Sequence, residues 1–221
     1  EPDSGFLELI RSKANEIGAV LIFDEVTSGF RLNLGGLHLK YKVNPDLLVL
    51  GKALGNGYPI SSILGIKNIM DVAQDSFISS TMWTERTGFA ASLATLKEMK
   101  RLKSQKILIE RGRILKTIWK TNANNNNLKI NIFGIDAIPN FSFDYKNNLA
   151  MQTYFIQEML KLGFLTRTGT AMCIAHTPKI IDKYSDAVST VFRDLRKLHE
   201  NNKIESALMG PVKHSKFERL N

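Results

Sequence analysis

Two ionisable side chains stand where apolar runs end. "LIFDEVTSGFR", Leu21 to Arg31, follows an unbroken apolar stretch from Ala19 to Phe23 and then places Asp24 and Glu25 in succession. Lys52 follows a second apolar stretch, "LLVLG", inside the glycine-rich "LGKALGNGYP". A buried ammonium is costly, so a lysine in that place has three options. It turns to solvent, pairs with an anion, or loses its proton and becomes a nucleophile toward aldehydes. Asp24 on its own is a helix cap, a salt-bridge partner or the counter-charge for a positive group. In an open parallel sheet the carboxyl ends of strands line the ligand crevice, so both side chains can reach one ligand.

The elements that would carry them follow from the hydrophobic pattern. Residues 4–17 space Phe6, Leu9, Ile10, Ala14 and Ile17 on one helical stripe, and Gly18 suits the left-handed position after it. Strands at 19–23 and 47–51 lack polar alternation, which predicts a parallel sheet covered on both faces. "NPD" before the second strand forms a turn, "SSILGI" at 61–66 is a third strand and "FISST" at 77–81 a fourth. A helix over 87–102 continues into a helical segment reaching Lys120, and "NANNNN" at 122–127 reads as a loop because asparagine is a poor helix former.

Beyond it, "LKINIF" and "IPNFSFDY" alternate like half-buried antiparallel strands. A helix over 149–162 ends before Gly163, and a strand in "FLTRT" or "MCIAHT" precedes a helix over 179–199 with Thr177 as N-cap and Pro178 in its first turn. The pattern predicts part of a large α/β domain over 1–103 and a smaller α+β domain over 104–221.

Composition narrows the class. The 221 residues are 43% hydrophobic and 23% charged, the balance of a soluble globular protein. No apolar run approaches the roughly 20 residues of a membrane span, and no basic-then-apolar leader opens the chain, so a cytoplasmic protein is the default expectation. Glu1-Pro2 instead of Met, directly ahead of a helix and a core strand, reads as part of a longer protein. The single Cys173 rules out a disulfide framework within the chain and reads as a small core residue of an apolar strand. His38, His176, His199 and His214 are scattered without metal-ligand spacing, so no metal is expected. The net charge of +9 is dispersed on helical faces such as "LKEMKRLKSQK", with no nucleic-acid motif among them. A solvated basic face that aids solubility or attracts phosphorylated ligands accounts for it.

"LIFDEVTSGFR" together with "NPDLLVLGKALGNGYPISSILG", in this order and spacing, resembles the class III aminotransferases, and within them the branch of glutamate-1-semialdehyde aminomutase. The likeness is strong over residues 1–100 and weaker, including "CIAHT", beyond. It implies an α/β fold of the type I pyridoxal-phosphate transferases: part of the large domain's parallel-rich sheet, then a smaller α+β domain. It implies pyridoxal 5'-phosphate as cofactor, with Lys52 forming the internal aldimine and Asp24 pairing with the protonated pyridine nitrogen. A carboxylate there keeps the ring an electron sink.

By the same likeness Val26 packs on a ring face, where its stiff side chain limits tilting, and Thr81 donates to the cofactor phosphate of a neighbouring subunit. A shared site implies a homodimer, with a small-molecule amino donor and a carbonyl acceptor as partners and no nucleic acid or membrane. Glu25 reads as a supporting or interfacial residue, or as a solvated carboxylate. Arg167 meets a substrate carboxylate or lies on the surface.

Two departures from the family pattern shape the functional expectation. The aminomutases carry small residues and an asparagine-proline pair after that threonine, whereas this chain has Met82, Trp83, Thr84, Glu85 and Arg86. A transaminase for a sugar-like or ulosonate carbonyl fits this bulkier segment, beside the aminomutase and a non-catalytic binding protein on the same scaffold. The family's phosphate loop and ring-stacking aromatic would lie upstream of Glu1, so the fragment by itself is expected to be inactive.

Overall fold

The computed structural model describes residues 2–215, and the chain divides into two compact units, Glu1–Ile109 and Glu110–Asn221. The first opens with α1, Phe6–Ile17, which ends at Gly18 in the left-handed conformation (φ 67°), its N–H turned back to the carbonyls of Ala14 and Asn15. Then come β1 (Ile22–Asp24), α2 (His38–Tyr41), β2 (Leu47–Leu50), β3 (Ser62–Gly65), α3 (Lys67–Met70) and α4 (Thr87–Leu102).

The sheet order is β1-β2-β3. β1 runs parallel to β2 with Ile22 beside Leu47 and Asp24 beside Val49, whereas β3 returns antiparallel, so the sheet is mixed. Asp46 fixes the entry to β1 and β2: its Oδ2 accepts from the Leu21 backbone N–H at 2.7 Å and from Arg11 Nη1 at 2.9 Å. Those two bonds hold its carboxyl below the usual range.

Leu48 and Leu50 alternate onto one face of β2 and pack with Phe30, Leu54 and Ile60 against Leu96 and Met99 of α4. Among the described residues the expected cover on both faces is missing. Ile22 is 54% exposed, and Ile63 and Leu64 of β3 are exposed as well. On the side of Leu7 and Ile22, the elements leave a cavity of ≈280 Å³ that Asp24, His38 and Tyr41 also line. The strand expected at 77–81 is absent too. Phe77 is almost fully exposed, and short turns such as Ile78 N–H to the Ser76 carbonyl replace a ladder.

α5, Ser104–Asn125, runs on into the second unit, which continues with β4 (Ile130–Phe133), β5 (Asn140–Phe143), α6 (Asn148–Lys161) and α7 (Pro178–Glu200). β4 and β5 form the expected antiparallel pair. Phe141 of β5 is the hub of the core: its ring lies 4.8 Å from Trp119 of α5, 5.3 Å from Phe155 of α6 and 5.8 Å from Phe192 of α7. Trp119 Nε1 donates to the Tyr184 hydroxyl at 3.0 Å, satisfying the one polar atom the tryptophan buries. Burial pushes the Tyr184 phenol up to about 12.

Residues 122–125 of the loop expected over 122–127 are instead the last turn of α5, and 126 and 127 form a turn after it. Ala123 is buried and Asn122 nearly so, and the Asn122 amide donates to the Ile118 carbonyl at 2.9 Å. Tertiary burial outweighs asparagine's weak propensity until Asn127, whose φ of 51° ends the turn. Neither "FLTRT" nor "MCIAHT" is a strand. The segment runs beside β5 through backbone bonds from Phe141 to Thr168 and from Thr170 to Pro139, and Cys173 is exposed, contrary to the core position expected for it.

Among the described residues no helix is long and apolar enough to cross a membrane, and no group of three or more His, Cys, Asp or Glu side chains could hold a metal ion.

Candidate active site

Parallel pairing brings the carboxyl ends of β1 and β2 side by side, with Asp24 as the last residue of β1. The backbone N–H of Glu25 still donates to the Val49 carbonyl at 2.9 Å; beyond it the chain turns. Asp24 is exposed, and its Oδ1 accepts from the Val26 N–H at 3.0 Å. That short loop fixes one oxygen of the carboxylate. Val26 stands behind Gly51: a Cβ on this glycine would lie 3.3 Å from Val26 Cγ1, so the absence of a side chain lets the two loops nest.

Lys52 opens a short 3-10 helix, Lys52–Leu54, and adopts φ 43°. A residue with a Cβ pays about 1 kcal/mol or more for that left-handed geometry, and such strain concentrates at functional sites. Leu54, at the end of the same short helix, is buried with Phe30 and Leu50. The exposed lysine side chain returns over the β1 loop, where its Nζ donates to Thr27 Oγ1 at 2.5 Å. Lys52 is thus drawn to the same loop that carries Asp24 and Val26.

Beneath that loop lies Glu25, only 4% exposed. It is not the solvated carboxylate that was one expectation for it. Its carboxylate accepts from the Leu37 N–H, the His38 N–H at 2.8 Å and Ser28 Oγ at 3.3 Å, and it meets His38 Nδ1 at 2.8 Å. One buried anion therefore ties the Asp24 loop to the start of α2. A buried carboxylate persists only with such a set of partners.

Thr81 is exposed and belongs to the run of turns before α4. Among the described residues it makes no hydrogen bond with Asp24, Val26 or Lys52. The two regions are joined elsewhere: Tyr58, in the loop that follows Lys52, donates from its hydroxyl to Glu85 Oε2 at 2.7 Å. Glu85 also accepts from the Thr87 N–H at 2.7 Å and the Gly88 N–H at 3.3 Å, first-turn donors of α4. The Thr87 hydroxyl, then its N–H, then the Tyr58 phenol hold the Glu85 carboxyl down at about 2.

Sequence reasoning missed Thr27, His38 and the Tyr58–Glu85 tie. An acid two residues before a helix start was a readable signal for Glu85, but nothing in the residue types marked Thr27. Arg167, in the second unit, is exposed and its Nε donates to the Gly169 carbonyl at 3.3 Å.

The donor set is chemically coherent. It offers one amine and one exposed carboxylate at neighbouring strand ends, a valine between them in the chain, and a glycine where backbone must come close.

Comparison with known proteins gives this arrangement a family. The 3-aminobutyryl-CoA aminotransferase of Cloacimonas acidaminovorans is 34% identical over 143 residues, which is 64% of this chain and 34% of that protein. The glutamate-1-semialdehyde 2,1-aminomutase of Desulfosudis oleivorans is 30% identical over 212 residues, 88% of this chain and 50% of that one. Among solved structures, the FumI protein of Sphingopyxis sp. MTA144, in its PLP internal aldimine form, superposes with a TM-score of 0.83 at 25% identity, covering 88% of this chain and 48% of that one. This chain thus spans half or less of the length of these relatives, and it shares the α/β, type I fold of solved transaminases. The family model for class III aminotransferases matches residues 1–193, and the chain belongs to that family.

Proposed function

We propose that this chain carries part of the active site of an aminotransferase that uses pyridoxal 5'-phosphate to move an amino group from an amino donor to a carbonyl acceptor. The observation that carries the reading is the placement of Lys52 and Asp24 on the ends of adjacent parallel strands, with the lysine amine drawn to the loop that begins at Asp24. Lys52 would hold the cofactor's aldehyde carbon, Asp24 its ring nitrogen, Val26 one ring face and Thr81 its phosphate. When bound, the cofactor supplies an electrophilic carbonyl and a ring that accepts electrons from a carbon losing its proton.

The residues do the rest. Asp24, as a carboxylate, keeps the ring nitrogen protonated. Lys52, once freed, would take the proton from the donor's amine-bearing carbon and deliver it to the cofactor's former aldehyde carbon, acting as base and then acid at the same nitrogen. Residues 1–103 belong to the large cofactor-binding domain in this reading and 104–221 to the small domain. A second subunit of a homodimer completes the site, through the phosphate that Thr81 serves.

The finer reading of the acceptor is a sugar-like or ulosonate carbonyl. It is supported by the polar, bulky segment from Met82 to Arg86, which differs from the aminomutases' small residues. The aminomutase reading is supported by the 30% identity across most of this chain. Turnover that needs no external amino donor selects it.

The test of the shared chemistry uses the full-length protein. Borohydride reduction with cofactor present should remove the visible absorption band and leave the cofactor attached to Lys52 in a peptide map. Lys52→Ala should show neither attachment nor turnover, and undiminished turnover in that variant overturns the reading.

A further inference from the structure

We propose that Thr27 is a positioning residue for the Lys52 amine, its hydroxyl holding the nitrogen on the Asp24 side of the strand ends. The inference rests on the reading of Lys52 as the amine that captures the cofactor carbonyl, and it deepens that reading by assigning a residue nothing else identifies.

Three observations carry it. The Lys52 Nζ lies 2.5 Å from Thr27 Oγ1, although both residues are exposed and the chain offers the amine open solvent. The backbone of Lys52 has a positive φ (43°), a conformation costly for a residue with a Cβ, and Leu54 two residues on is buried with Phe30 and Leu50. Thr27 itself sits in a loop fixed from both sides: the Asp24 carboxylate takes the Val26 N–H at 3.0 Å, and the Glu25 carboxylate, buried, takes the His38 N–H at 2.8 Å.

A lysine has four rotatable bonds, and an exposed one spreads over many rotamers. One acceptor on a stiff, β-branched side chain selects among them. The hydroxyl accepts a hydrogen bond from the Lys52 nitrogen, so the amine must give up that bond before it turns to another partner.

The test is carried out on the full-length protein, freed of cofactor, so that it reads the amine and not turnover. A pulse of an acetylating reagent at neutral pH is followed by peptide mass spectrometry, with Lys13 as the internal reference. Thr27→Val keeps the shape and removes the hydroxyl; it should speed acetylation of Lys52 relative to Lys13 by roughly three- to tenfold, the range expected for losing one such hydrogen bond. Thr27→Ser keeps the hydroxyl and should stay near the wild-type rate. An unchanged rate in Thr27→Val, or a Thr27→Ser rate that moves as far as that of Thr27→Val, overturns the proposal. Borohydride trapping on Lys52 reports separately on the cofactor reading, so the two can fail independently.

Discussion

The phenol of Tyr58 donates to the carboxylate of Glu85 across 2.7 Å, joining the loop after Lys52 to the first turn of α4. Glu85 gathers four donors there, and the resulting carboxyl titrates at about 2, well below a free glutamate. A group whose folded value is depressed adds stability above its unfolded value and loses it as pH falls toward the folded one. The contribution of Glu85 is therefore complete near neutrality and fades between about pH 4.5 and 2. Thermal unfolding of wild type and Glu85→Gln across that range should show a gap in midpoint that narrows as the acid is added. A gap that stays constant from neutrality to pH 3 contradicts the assignment.

Glu25 presents a different kind of dependence, one of burial. Glu25→Gln keeps the size and one acceptor oxygen, but it turns an amide donor toward the N–H groups of Leu37 or His38, where the carboxylate accepted. An unsatisfied donor facing another in a site only 4% exposed should cost about 3 kcal/mol or more in urea unfolding. Less than about 1 kcal/mol would mean that water or a shifted α2 repairs the loss.

These two acids illustrate how far residue types could be read. The strand ends carrying Asp24 and Lys52 were legible because apolar runs of strand length that stop at a charge or a glycine leave few alternatives. The long helices were legible for the same reason, down to Gly18 after α1, whereas the one-turn helices α2 and α3 were not. What stayed hidden was set by partners distant in the chain. Glu25 looks like any acid until Leu37 and His38 fold over it, and Thr27 becomes notable only when Lys52 turns back toward it. The failed strand at 77–81 and the helical asparagines at 122–125 err in opposite directions. In the first a β-like composition finds no strand to pair with among the described residues, and in the second a poor helix former is kept helical by the burial of Ala123.

Gly112 lies inside α5, where alanine normally gains about 1 kcal/mol over glycine. Here the balance reverses. A Cβ at this position would sit 1.5 Å from the Asp136 carbonyl oxygen, and that backbone is pinned to the helix. Asp136 accepts from Arg113 Nε at 2.8 Å and from Lys116 Nζ at 2.9 Å. Burial raises its carboxyl, but the two cations outweigh it and hold it low. Gly112→Ala should therefore destabilise the second unit by about 2 kcal/mol or more in denaturant unfolding, overlap outweighing propensity. A neutral or stabilising result would show that the 134–136 turn can move aside.

Thr177 precedes α7 with Pro178 as the first helical residue, a pairing that predicts a side-chain cap worth about 1 kcal/mol. The structure places the residue in the extended conformation of an N-cap, yet its hydroxyl makes no capping hydrogen bond. Its backbone does the work instead: the carbonyl accepts from Ile180 and Ile181, and the N–H donates to the Ala175 carbonyl at 2.8 Å. The helix start is further held by the burial of Ile181 and by the fixed φ of Pro178. Thr177→Ala removes nothing that these contacts use, so its cost should stay below about 0.5 kcal/mol, as for an ordinary surface substitution. Thermal unfolding of the variant checks this, and a loss near the full value of a cap would mean that the hydroxyl bonds in solution to the N–H of the second or third helical residue.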